Sequence, residues 1–199
     1  MTVGIGIPVT ETAPTKFIGC LLKLVERLNR KDIPYLYYMT TIRPIDRARN
    51  EIVNKLKDKV DEILFIDSDM IFEPDLYEKL HKPGKDIISA LYFQKYRPYA
   101  PVAYDFKNGK FRPIDVNKID SALVKVDGFG MGACLIKSYI FQELDMPYFK
   151  HSARYSEDLF FCAKARKKFE LWLNAALILD HWGGVIGIET CLAEQKLLR

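Results

Sequence analysis

The chain has 199 residues and a formal net charge of +4, with 49% hydrophobic and 28% charged residues. That length suits one domain with a substantial core, and the balance is that of an ordinary soluble globular protein. The charge favours anionic ligands but is too small to imply nucleic acid, and no apolar run reaches the ~18 residues of a membrane span.

The N-terminus lacks a basic region followed by an apolar one, so no signal peptide is expected. Cys20, Cys134, Cys162 and Cys191 are not spaced like zinc ligands and sit in apolar or helical patterns. They are expected as buried free thiols in a reducing cytosol, which makes the chain cytoplasmic.

Val3-Gly-Ile-Gly-Ile7 reads as a first buried strand, stopped by Pro8. Gly4 and Gly6 make no phosphate-binding fingerprint, because no third glycine opens the following helix. After the loop Val9-Thr10-Glu11-Thr12, Pro14 opens a helix with Phe17, Leu21, Val25 and Leu28 on its apolar face. Tyr35 to Met39 is a second strand. Strand, helix and strand at this spacing predict a parallel, right-handed βαβ unit.

A second helix begins in Arg43-Pro-Ile-Asp46-Arg47-Ala-Arg49-Asn50, with Ile45, Ala48, Ile52 and Leu56 on its buried side. Arg47 and Asn50 are three apart, so both can face the ligand edge of a sheet. Arg47 could meet a phosphate there, and Asp46 and Asn50 a base or ribose. A solvated helix start, with Asp46 favoured by the helix dipole, accounts for the same residues.

Ile63-Leu-Phe-Ile66 then runs abruptly into Asp67-Ser68-Asp69. A short apolar run bounded by polar residues reads as a strand buried on both faces, and ligands bind beyond the carboxyl ends of such strands. With 15 Asp in the chain, chance supplies about one Asp-x-Asp pair, so its position gives this one weight.

Pro74 starts a short helix through Leu80, and Asp86 to Leu91 is another strand. From Tyr92 to Tyr104, aromatics interleave with Lys95 and Arg97. They could stack sugars or bases, or form a Pro-broken loop over one sheet edge. Asn108-Gly109 signals a hairpin between Val102–Phe106 and Lys110–Arg112. Ala122–Val126 and Ala133–Ile136 are strands flanking Asp127-Gly-Phe-Gly-Met-Gly132, where three glycines permit close ligand approach or simply connect strands. Ser138 to Leu144 is a short helix. After His151–Tyr155 and Ser156-Glu157-Asp158, Leu159 to Phe169 is an amphipathic helix, acidic before its start and basic at its end. Leu171–Leu173 and Ala175–Leu179 are apolar strands. Asp180-His181-Trp182-Gly183-Gly184 and a weakly amphipathic tail close the chain, with no internal repeat and no second domain.

One or two carboxylates plus an imidazole suffice to hold Mg²⁺ or Mn²⁺, which keeps water and substrate oxygens in its remaining positions. Such an ion on a nucleotide-sugar diphosphate neutralises charge on the leaving group while the sugar carbon becomes oxocarbenium-like. An acceptor hydroxyl then needs a base, and Asp158 or Glu157 is the candidate.

The order of these motifs resembles a GT-A glycosyltransferase of the large inverting family 2 type. The matching stretches are Ile7-Pro8-Val9-Thr10-Glu11, Arg47-Ala48-Arg49-Asn50, Phe65-Ile66-Asp67-Ser68-Asp69, Gly128 to Ala133, Ser156 to Phe161 and Asp180-His181. They run from about residue 3 to about residue 184, and the short chain is similar to bare catalytic cores of archaea and their viruses. The resemblance implies an α/β fold: a single-domain GT-A unit over 1–199, with a mostly parallel nucleotide-binding sheet flanked by helices. Its nucleotide-binding part would cover about 1–100 and an acceptor-side part, with a smaller β region, about 101–199.

By position, Pro8, Thr10, Glu11 and Arg47 or Asn50 would line the nucleotide pocket. Asp67 and Ser68 would face the ribose side, and Asp69 would bind metal with Asp67 nearby. Gly130 and Gly132 would lie under donor sugar and acceptor. Asp158 would be the base, Glu157 would position hydroxyls, and His181 would be the third metal contact. The donor would be a nucleotide-diphosphate sugar with Mn²⁺ or Mg²⁺. The acceptor would be a glycan, a glycoprotein or a lipid-linked molecule, and transfer would be inverting, with retention open because some relatives with a similar Glu-Asp pair are retaining. Only about fifteen residues follow the last motif, where relatives often carry acceptor-binding elements. Two other classes remain open. One is a nucleotidyltransferase, disfavoured by the Gly-poor Pro8–Glu11 loop. The other is a non-catalytic carbohydrate- or nucleic-acid-binding module, supported by the basic balance and the Tyr92–Tyr104 aromatics.

Overall fold

A computed structural model describes residues 1–183, so Gly184, Cys191 and the expected C-terminal tail lie outside the described residues. Strand β1 (Val3–Pro8) feeds helix α1 (Thr15–Arg30) and strand β2 (Tyr35–Thr40), then helix α2 (Ile45–Leu56) and strand β3 (Glu62–Ile66). β1 pairs in parallel with β2 on one side and with β3 on the other, as the βαβ spacing predicts. The strand β4 (Met70–Ile71), helix α3 (Leu76–His81) and strand β5 (Ile87–Leu91) follow. A hairpin of β6 (Ala103–Lys107) and β7 (Lys110–Pro113) precedes β8 (Leu123–Val126), β9 (Gly128–Phe129) and β10 (Ala133–Lys137). Helix α4 (Glu157–Ala165), β11 (Leu171–Ile178) and β12 (Asp180–His181) complete the described chain.

The main sheet has seven strands in the order β2-β1-β3-β10-β5-β11-β8. It is mostly parallel, with β10 running antiparallel between β3 and β5, and β8 antiparallel on β11. A smaller antiparallel sheet has the order β7-β6-β9. Its hairpin turns at Asn108 and Gly109, whose φ values of 52° and 75° are the left-handed pair such a two-residue turn demands.

Alternation along β3 divides the core. Ile63 and Phe65 face a cluster with α2 and α4, whereas Leu64 and Ile66 face one with α1 and α3. Successive strand side chains point to opposite faces, so an unbroken apolar run is what a strand covered by helices on both sides requires. The two glycines of β1 serve the same packing. A Cβ on Gly4 would lie 3.0 Å from Val60 and 3.2 Å from Leu56, so their smallness seats α2 close to the sheet.

Several elements differ from the sequence reading. Ser138–Phe141 is a single 3₁₀ turn rather than a helix to Leu144. The helix expected over Leu159–Phe169 begins earlier, at Glu157, and ends at Ala165. The two expected final strands are one, β11, with a register shift between Asn174 and Ile178. Cys20, Cys134 and Cys162 are free thiols, the last two buried. Among the described residues no helix is long and apolar enough to cross a membrane.

At the amino end of β3 the Glu62 carboxylate is fully buried. It accepts from Tyr77 Oη at 2.6 Å and Lys137 Nζ at 2.5 Å, and His81 Nδ1 lies 2.7 Å away. Burial and this hydrogen bond push the Tyr77 phenol far above its ordinary range. Glu62→Ala strands the buried phenol and the ammonium. It is expected to cost about 2–3 kcal/mol, a fall in Tm of roughly 4–12 °C. A melting curve matching wild type would show that the cluster contributes nothing.

Candidate active site

The carboxyl edge of the sheet collects the polar residues. β1 ends at Pro8, β3 gives way to Asp67, and β5 gives way to Tyr92. Gly132 precedes the reversed strand β10 at the same edge, and its carbonyl accepts from Asp67 N at 2.9 Å. A cleft of about 780 Å³ opens there, lined by Pro8, Val9, Thr10, Ile42–Ile45, Arg49, Asp67, Ser68, Asp69 and Glu157. That volume suits a small-molecule ligand.

Arg49 organises the inner wall. It is 3% exposed and donates from Nη2 to both oxygens of Asp67, at 2.9 and 3.0 Å, and from Nη1 to Glu157. Burial alone would lower its pKa, but the charges of Asp67, Glu157 and Asp158 outweigh that and hold the guanidinium above its ordinary value. Burial also raises the Glu157 carboxyl above its usual range, against the opposing pull of Arg49.

Asp69 faces a different set of partners. A tight turn, with Met70 N donating to Asp67 O at 3.1 Å, swings it away from Arg49. The two-residue strands β4 and β12 pair Met70 with His181, and Trp182 N donates to Asp69 O at 2.7 Å. Asp69 Oδ2 accepts from Lys95 Nζ, while Asp69 Oδ1 is buried without a hydrogen-bond partner, 3.7 Å from His181 Nε2. His181 Nδ1 sits 2.8 Å from Phe93 O, an acceptor only, so Nδ1 carries a proton. In the neutral imidazole Nε2 then presents a lone pair. In that form two electron-pair donors face each other.

These residues fit a divalent cation. Two bonds of about 2.1 Å span up to about 4.2 Å, so one ion can touch both Asp69 Oδ1 and His181 Nε2. Among the described residues no group of three or more His, Cys, Asp or Glu side chains is set to hold a metal. Phosphate and water oxygens would complete the shell, as they do for Mg²⁺.

The sequence-read residues divide accordingly. Pro8, Thr10, Asp67, Ser68, Asp69 and Glu157 line the cleft, and His181 joins Asp69. Asp67 is turned to Arg49 rather than to His181. Glu11 and Arg47 are exposed and outside the lining. Asn50 does not enter the cleft: its amide donates to Phe149 O at 2.7 Å and accepts from Tyr148 N at 2.9 Å, bracing the loop before α4. Gly130 and Gly132 are buried, and a Cβ on Gly132 would lie 2.7 Å from the Tyr92 ring. Their role here is to admit Tyr92, whose hydroxyl accepts from Gly132 N at 2.9 Å.

Asp158 is half-buried at the start of α4, with Oδ1 accepting from Ser156 Oγ and from Leu159 N at 2.7 Å. Its charge reaches Tyr104, whose phenol burial and Asp158 together push up to about 12.

Two side chains in contact with the site's acids were not read as site residues from the sequence, Arg49 and Lys95. Arg49 had a signal, since it lies four after Ile45 and three before Ile52, inside the apolar stripe, where an arginine needs buried acids. Ile45, expected to be buried, is 37% exposed and lines the cleft.

A mostly parallel sheet with an Asp-x-Asp turn at its carboxyl edge and a smaller antiparallel sheet beside it defines a GT-A-like fold. No family model matches the sequence, and no curated protein sequence matches it. Solved structures agree on the fold. The A197 protein from STIV aligns with a TM-score of 0.60 at 18% identity, over 91% of this chain and 85% of that one. GalNAc-T7, solved with UDP, GalNAc and Mn²⁺, aligns at 0.61 and 13% identity, over 94% of this chain and 45% of that one. S. aureus TarS, in complex with UDP, aligns at 0.55 and 14% identity, over 100% of this chain and 64% of that one. The chain thus spans about half to two thirds of these last two, and identities this low speak to fold alone.

Proposed function

We propose that the protein is a metal-dependent glycosyltransferase that moves a sugar from a nucleotide-diphosphate sugar to an acceptor hydroxyl. The observation that carries this is the buried Asp69 Oδ1, without a hydrogen-bond partner and 3.7 Å from His181 Nε2, beside a ligand-sized cleft. Neighbours in fold solved with UDP, one of them with Mn²⁺, support the choice of donor and cation.

Exposed Ile42 and Ile45, with Pro8 and Val9, give the cleft an apolar wall for the flat face of a base. Asp67, fixed by Arg49, presents its carboxylate edge to ribose hydroxyls. Asp69 and His181 would hold Mn²⁺ or Mg²⁺, which supplies charge neutralisation for the departing diphosphate. Asp158 is the base: its Oδ1 is held by Ser156 and Leu159, which leaves Oδ2 for an acceptor hydroxyl. Glu157, locked to Arg49, positions the site. Attack by the acceptor hydroxyl on the face opposite the departing diphosphate would give inversion. The first hundred residues or so carry the donor and the remainder the acceptor.

The test is turnover across a panel of UDP-, GDP- and dTDP-sugars with and without Mn²⁺. Metal-dependent release of the free nucleotide from one of them is expected. Pyrophosphate release from a nucleoside triphosphate and a sugar phosphate, with no sugar-nucleotide turnover, would replace this reading by a nucleotidyltransferase.

A further inference from the structure

Among the described residues Lys95 is the lysine or arginine paired with Asp69, and the proposed function gives it no task. Its ammonium bonds Asp69 Oδ2, while the other oxygen of the same carboxylate is the unpartnered one beside His181. It stands on a loop pinned at both ends. Phe93 bridges to Pro101, Gln94 N donates to Ala100 O at 2.9 Å, and Val102 N donates to Tyr92 O at 2.9 Å. The same loop supplies Phe93 O, the group that fixes the His181 tautomer. One short segment therefore orients one donor of the cation site and neutralises the other.

A lysine is a point charge on a flexible four-carbon stem. It can leave Asp69 without any movement of the pinned backbone. What would draw it off is a competing anion within the reach of that stem, and a diphosphate in the adjoining cleft is such an anion. We propose that Lys95 exchanges partners, from Asp69 in the free protein to the donor's diphosphate when it binds. Diphosphate binding thereby uncovers Asp69 for the metal, and the two bind as one coupled event. This rests on the nucleotide-diphosphate reading of the cleft. Without Lys95 the metal would no longer wait for the nucleotide. Coupling between two ligands is reciprocal and typically lies between about 5-fold and 150-fold.

The experiment measures Mn²⁺ affinity by electron paramagnetic resonance of the free ion, with and without UDP. The Mn²⁺–UDP complex formed in solution is measured separately and subtracted. UDP affinity in EDTA is read by calorimetry. Wild type, Lys95→Gln and Lys16→Gln are compared. Lys16 lies 5.1 Å from the Trp182 ring, so it is a nearby charge that does not touch Asp69. Its removal reports the general effect of losing one positive charge.

In wild type, UDP should tighten Mn²⁺ by about tenfold or more. Lys95→Gln should bind Mn²⁺ alone about tenfold more tightly, bind UDP in EDTA more weakly, and lose the part of the coupling that the exchange supplies, leaving that of direct metal–diphosphate bonding. Lys16→Gln should keep the wild-type coupling. If Lys95→Gln matches Lys16→Gln while both bind Mn²⁺ with UDP, the exchange is overturned and the donor reading survives. If no protein binds Mn²⁺ even with UDP, both are overturned.

Discussion

Asp69→Ala is expected to reduce metal-dependent turnover about 10³-fold while leaving the fold intact. The reasoning is local. Asp69 supplies the only carboxylate oxygen of the described residues that both faces His181 and lacks a partner. Removing it leaves an imidazole as the sole donor among the described residues, and one neutral nitrogen cannot anchor a hydrated hard cation. The charge stabilisation a metal gives a leaving diphosphate is several kcal/mol, and ~4 kcal/mol corresponds to about 10³ in rate. Stability should change little. The Asp69–Lys95 pair is about a third exposed on both sides, and such pairs contribute at most about 1 kcal/mol. Steady-state kinetics with saturating Mn²⁺, beside a melting curve, separate the two effects. Turnover within threefold of wild type would remove Asp69 from the chemistry.

Arg49→Met should act in the opposite way, chiefly on stability. It leaves Asp67 and Glu157, brought together by one buried guanidinium, as neighbouring unpaired carboxylates. Breaking a buried pair in this way costs about 3–5 kcal/mol, or roughly 6–20 °C in Tm for a chain of this size. Arg49→Lys should rescue only part, since one ammonium cannot reproduce a fork that spans two acids.

The loss should depend on pH. Burial already holds the Glu157 carboxyl above its ordinary 4.5, against Arg49. Without Arg49 it rises further, so the folded state holds more protons than the unfolded one from 4.5 upward. Stability from protonated Glu157 is then full below 4.5 and lost as pH rises through the folded value. The Tm deficit of the variant should therefore shrink between about pH 7 and about pH 5. A deficit that stays constant or grows over that range would show that Glu157 is not the stranded acid.

The sequence carries its local chemistry well and its long-range geometry poorly. The β1–α1–β2 unit, the Asn108-Gly109 hairpin and the placement of Asp67-Ser-Asp69 at a buried strand end were all legible. Each depends on residues near one another in the chain. The antiparallel insertion of β10 between β3 and β5 was not legible, because an apolar run records burial and not direction. The same limit misplaced α2's contribution. Period and spacing identify a helix, but the choice between Arg47, Arg49 and Asn50 depends on acids delivered from β3 and α4. The β4–β12 pairing that brings His181 to Asp69 involves two residues on each side, too few for any pattern to signal.

Anomalous diffraction from crystals grown with Mn²⁺ and UDP puts the central claim to the most direct test. A manganese peak bonded to both Asp69 Oδ1 and His181 Nε2, with diphosphate oxygens completing its shell, is the predicted result. A peak elsewhere on the protein, or UDP seated in the cleft with Lys95 still on Asp69 and no manganese, would contradict it.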